Sequence, residues 1–220
     1  MRCALRLAVP RSSGGLGAAV ADLHQNADHG FAATYAPGYL RPPGLPPLFD
    51  PYWDPFWRAA EERGTVICMH IGSSSRMPAT SGDAPVAVAA TLSFGNAMAS
   101  MSDWLFSGKL VQFPDVKLAY SEGQIGWIPY ILERVDDVWR EHRAWGGVKD
   151  LIPEPPSTYY YGRIFGCFTA DRHGLANLEA VDPHQKLLGN AREELVVVHA
   201  LGEEPVGHAQ EIDLAWSETI

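Results

Sequence analysis

The chain has 220 residues, 46% of them hydrophobic and 20% charged, so it is long enough to bury a sizeable core and too apolar to be disordered. A formal net charge of -9 at pH 7 leaves no basic stripe to neutralise phosphates, which argues against nucleic acid and anionic membrane as partners, and no stretch reaches the roughly 18 apolar residues of a membrane span. The three cysteines, Cys3, Cys68 and Cys167, lie far apart with no C-x-x-C pair, as expected of buried thiols in a soluble, cytoplasmic protein.

The segment 1–15 carries Arg2, Arg6 and Arg11 without an acid, but Arg6 and Pro10 interrupt its apolar run well short of a signal core. It is set apart as an atypical N-terminal segment, with a start codon inside a longer gene as the expected origin. Leu16, Val20, Leu23 and Ala27 then recur at helical spacing, and His29-Gly30 ends the helix. Phe31 to Tyr35 reads as a short strand. A proline-rich loop leads to Asp54-Pro55, read as an N-cap and first helical turn, and that helix runs to about Arg63 and stops at Gly64.

Thr65 to Ile71 is almost continuously apolar between glycines, which marks a strand buried on both faces of a parallel sheet; its polar exception is His70. The loop from Gly72 to Pro85 leads into an Ala-rich helix expected from about Val86 to Phe106. Val116 to Ser121 is the next strand, and Glu122-Gly123-Gln124 sits where its C-terminal end opens. A helix from about Ile128 to Trp145, a strand from Tyr161 to Phe168 and a helix from Asp171 to Val181 follow. Strands alternating with helices predict a parallel α/β sheet, open or closed. Beyond residue 182 the pattern changes, with one apolar strand candidate from Leu195 to Ala200.

The loops at the C-terminal edge of such a sheet surround the pocket, so His70 and Glu122, standing at that edge on successive strands, look into one mouth. A carboxylate there can act as general base or orient a water. A core histidine bonded to backbone and a solvated loop acid are the structural alternatives for each residue alone; the pairing is more informative than either.

These sites also carry a resemblance. The segments Tyr52-Trp53-Asp54-Pro55-Phe56-Trp57, Val66-Ile67-Cys68-Met69-His70-Ile71-Gly72-Ser73-Ser74-Ser75, and Tyr120-Ser121-Glu122-Gly123-Gln124-Ile125-Gly126-Trp127 continuing to Asp136 agree in order and spacing. They resemble the amidohydrolase-related superfamily, in the branch of aminocarboxymuconate-semialdehyde decarboxylase. The resemblance implies a (β/α)₈ TIM-barrel enzyme with a divalent metal, usually zinc, that hydrolyses or non-oxidatively decarboxylates small carboxylated or amide substrates. It also implies a metal held by an H-x-H pair on the first strand, a histidine on the fifth and an aspartate on the eighth. By position His70 matches the fifth-strand ligand, and Glu122 falls close to a sixth-strand histidine that serves the chemistry, giving it the catalytic role.

Residues 16–182 are therefore expected to form a partial barrel domain and 183–220 a divergent C-terminal tail. No H-x-H occurs in the 220 residues, and the aspartate-bearing strand is not recognisable after residue 182. A catalytic zinc needs about three protein ligands. His24 and His29 stand about 140° apart around a helix and cannot share a face; His199, after Leu195-Val196-Val197-Val198, is a distant replacement candidate. Arg163 and Arg172 are taken as candidate partners for a substrate carboxylate.

Two other chemistries fare worse. A serine hydrolase would need the G-x-S-x-G elbow, which is missing around Ser73 to Ser75. Gly15-Leu16-Gly17 falls short of a dinucleotide loop, since Pro10 intervenes and Val20 replaces the third glycine. The alternative of a different class is a non-catalytic, truncated remnant acting as a folded module, whose open sheet edges invite homo-oligomerisation.

Overall fold

A computed structural model describes residues 5–7, 15–35, 46–70, 78–168 and 170–177. Its centre is a five-stranded parallel sheet: β1 (Leu5–Leu7), β2 (Ala33–Tyr35), β3 (Val66–His70), β4 (Leu118–Ser121) and β5 (Ile164–Gly166). The spatial order is β1-β2-β3-β4-β5, each strand lying beside its predecessor. A doubly wound open sheet reverses its strand order at a switch point, whereas a barrel wall does not. The monotonic order therefore decides between the two closures that the sequence pattern left open, and the fold is that of an incomplete (β/α)₈ barrel wall. Leu5–Leu7, within the segment set apart at the N-terminus, supplies the first strand by pairing with Ala33–Tyr35.

Helices α1 (Gly15–Asp28), α2 (Asp54–Arg63), α3 (Val86–Leu92), α4 (Phe94–Phe106), α5 (Lys109–Gln112), α6 (Ile128–His142) and α7 (Arg172–Ala176) fill the connections. Alternation along the strands sorts side chains to two faces. Ile67 and Met69 of β3, with Leu118 and Tyr120 of β4, join the main core against the helices, which Trp53, Phe56, Trp57, Met101, Trp104 and Leu132 complete. The opposite face carries a separate cluster of small residues, Ala33, Val66 and Cys68, with Ala119 packed on it. His70 shares the parity of Val66 and Cys68, so the same alternation turns it to this inner face. Small side chains there match the narrow interior of a barrel wall.

Tryptophan is mostly core material, as its size dictates. Trp53, Trp57 and Trp104 are buried, with the Trp57 and Trp104 rings 4.9 Å apart edge to face, whereas Trp145 is exposed.

Several local expectations are corrected. Asp54 does not cap α2: Trp53 occupies the N-cap with no side-chain bond, and Asp54, the first helical residue, pairs with buried Lys109 instead. Capping falls one turn earlier, where Asp50 accepts from the Tyr52 N–H at the short 3₁₀ turn Pro51–Trp53. The helix stops at Gly64 as expected, in the left-handed region with φ 60°. The expected helix from 86 to 106 is two, because the Ser93 hydroxyl donates to Ala90 O at 3.0 Å and the backbone tightens to an i→i+3 bond there. The strand expected over 161–168 is regular only from Ile164 to Gly166, since 3₁₀ and turn backbone fills the approach to it. The loop serines 73–75, the tail beyond residue 177 with His184, His199 and His208, and Cys3 lie outside the described residues.

Candidate active site

β3 and β4 are paired in register with His70 opposite Ser121, so the next residue of β4, Glu122, stands over the end of β3. Its backbone is left-handed, φ 58°, a conformation that costs a side-chain-bearing residue energy and is found where surrounding structure enforces it. That turn brings the Glu122 carboxylate to His70, with Nε2 to Oε2 at 3.1 Å and both side chains partly exposed. The structure thus joins the two residues that strand-end reasoning paired. The two side chains lie within ion-pair distance, and a histidine and a carboxylate so placed are groups able to hold and pass a proton at the mouth of the sheet.

Cys167, just past β5, is the buried neighbour of this pair. Burial pushes its thiol up; the Glu122 backbone N–H pulls it partly back, and the Glu122 carboxylate adds to the rise. A thiol so placed stays protonated at neutral pH and is a poor nucleophile.

The turn after Glu122 is held from two sides. Asp171, half-buried, accepts through Oδ2 from the backbone N–H groups of Ile125 at 2.8 Å and Gly126 at 2.7 Å, and through Oδ1 from Gly174 at 2.7 Å. Burial raises the Asp171 pKa, but these three N–H donors and the nearby His173 outweigh it and hold the carboxylate below its ordinary range. On the other side the Trp127 indole N–H donates to Gly123 O at 2.7 Å. Sequence reading placed Asp171 at a helix start and missed this clamp. A carboxylate reaching 46 residues back to a turn leaves no local signal.

The two arginines part company. Arg172 opens α7 on the segment leaving the C-terminal end of β5 and is exposed. Arg163 precedes β5, at the opposite edge from His70; its guanidinium donates to Leu110 O at 2.6 Å and Pro114 O at 3.2 Å and lies over the Tyr159 ring. The structure does not bring Arg163 to His70 and Glu122, because a residue at the start of a parallel strand faces the closed end of the wall.

His70 and Glu122 are donors of the kind a divalent metal takes. Among the described residues, however, no group of three His, Cys, Asp or Glu side chains comes together to hold an ion. These residues alone do not fit a catalytic zinc, which needs about three protein ligands.

A parallel, singly wound wall defines the class of (β/α)₈ barrel folds. The sequence model of the amidohydrolase family matches residues 6–188. The chain belongs to the amidohydrolase family.

Among solved structures, an amidohydrolase from Mycobacterium avium subsp. paratuberculosis K-10 superposes with a TM-score of 0.54 at 18% identity, over 74% of this chain and 42% of its own. 5-Carboxyvanillate decarboxylase from Sphingomonas paucimobilis gives 0.48 at 20% identity, over 68% of this chain and 44% of its own. A dihydroxybenzoic acid decarboxylase from Polaromonas sp. JS666, solved with bound manganese and the inhibitor 2-nitroresorcinol, gives 0.48 at 18% identity, over 68% and 46%. The chain spans less than half the length of each of these three. No curated protein matches it significantly. No helix among the described residues is long and apolar enough to cross a membrane.

Proposed function

We propose that Glu122, set against His70, is the acid–base residue of an amidohydrolase-type site that hydrolyses, or non-oxidatively decarboxylates, a small carboxylated or amide substrate. The observation that carries this reading is the 3.1 Å approach of His70 Nε2 to Glu122 Oε2 across adjacent strand ends. In hydrolysis Glu122 takes a proton from the attacking water and returns it to the leaving amine. In decarboxylation it delivers a proton to the carbon that has lost CO₂. Exposed Arg172, on the same side of the sheet, is the proposed partner for a substrate carboxylate.

A divalent metal, zinc by family habit, belongs to this proposal with His70 as one ligand and the others drawn from outside the described residues. The absence of a three-donor group among the described residues favours the second reading, a folded or oligomerising module without catalysis. Metal analysis after dialysis separates the two. The enzyme reading expects stoichiometric zinc or manganese that His70→Ala removes, and turnover of a panel of small aromatic carboxylates and amides that Glu122→Gln lowers about 10²–10⁴-fold. Metal-free protein that turns over nothing, with a Tm indifferent to EDTA, leaves the module.

A further inference from the structure

We infer that Asp171 is a positioning residue, holding the turn 122–126 in the conformation that sets Glu122 against His70; the inference rests on the reading of those two as the reacting pair. The turn is built against local preference. Glu122 and Gln124 both sit in the left-handed region, at φ 58° and 59°, and neither is a glycine. Two such residues within three need an outside restraint to stay there.

Asp171 supplies that restraint with one oxygen to each task. Oδ1 takes the Gly174 N–H and caps α7, while Oδ2 takes the Ile125 and Gly126 N–H groups together. A residue serving only to cap α7 would have no use for the second set. The Ile125 side chain, fully buried, is seated between two glycines that must remain glycines: a Cβ on Gly166 would stand 2.7 Å from Ile125 Cγ2, and one on Gly174 2.5 Å from Cγ1. The end of β5 and the start of α7 therefore form one mould for the turn that carries Glu122. The lowered Asp171 pKa keeps this acceptor ionised where enzymes ordinarily work.

The test is the ring ¹H and ¹⁵N resonances of His70 in histidine-labelled protein at one fixed pH, identified by their loss in His70→Ala. Glu122→Gln removes the negative charge that faces His70 and displaces them. Asp171→Ala is expected to displace them the same way, by at least about half as much. The control is Asp136→Ala, which removes a carboxylate that accepts from the Ser157 N–H and hydroxyl at 2.9 and 2.7 Å; it should leave them in place however much stability it costs. If Asp171→Ala does not fold, Asp171→Asn decides, since an amide has one accepting oxygen in place of two and cannot serve both the Gly174 N–H and the N–H groups of the turn. Unmoved His70 resonances in these variants, with amide protection lost only at Gly174, reduce Asp171 to a helix cap and overturn the inference. Unmoved resonances in Glu122→Gln overturn the pairing itself, and the positioning role with it.

Discussion

The two edges of the sheet use polar side chains in opposite ways. At the N-terminal edge charges fasten structure: Arg163 ties β5 to the carbonyls of Leu110 and Pro114, and Glu61 accepts the Asp115 N–H just before β4. In the α5 segment leading to that edge, Lys109 is held by Asp54 and Gln112. At the C-terminal edge, side chain meets side chain in His70 and Glu122, on backbone that other residues must hold in a costly shape. Fasteners lower the energy of the fold, whereas the opposite edge stores strain in order to aim a carboxylate. In barrels the first pattern belongs to stability and the second to chemistry.

Asp54→Ala tests the first pattern hardest. It leaves the Lys109 ammonium, with a side chain only 5% exposed, without its counter-charge, and the expected loss is about 3 kcal/mol in urea unfolding. Lys109→Met in the same background should recover much of it, and the His70 ring resonances should not move. A loss under about 1 kcal/mol would blur the distinction between the edges.

Arg163→Ala comes next, at about 2 kcal/mol for the loss of a charged donor from two carbonyls, with no change in the KM of any carboxylate turned over. A raised KM at unchanged stability would instead put Arg163 in the substrate site and erase the comparison. The smallest effect has the opposite sign. Gln124→Gly removes a left-handed side chain whose buried Oε1 has no hydrogen-bond partner among the described residues, and should stabilise the protein by about 1 kcal/mol. Destabilisation there would mean that Gln124 is not strained and that the C-terminal edge stores less than proposed.

The legible parts of this molecule are those where one local pattern has one cause. The apolar run of β3 between Gly64 and Gly72 can hardly be anything but a buried strand, and a histidine ending it must stand at the sheet's edge. Glu122 is legible by the same logic one strand later, so the site's principal contact is found from spacing alone. What the sequence hides is non-local or degenerate. Alanines at 87, 89, 90, 97 and 99 give the segment 86–106 helical propensity throughout, so the break at Ser93 leaves no gap in the pattern. Asp54 looks like a cap because Asp before Pro usually is one; a lysine 55 residues on recruits it instead. Asp171 reads as a helix start, which it is, while its second oxygen serves a turn in a different unit of the fold.

Because every strand is laid beside the one made just before it, the sheet can be zipped in the direction of synthesis, β2 onto β1 and onward, with no later strand inserted between earlier ones. His70 and Glu122 would both have left the ribosome while the carboxylate that fixes their geometry, 46 residues beyond Ile125, was still to be translated. The corner at His70 and Glu122 is then the last part of the described wall to set, after the strands around it are already in place.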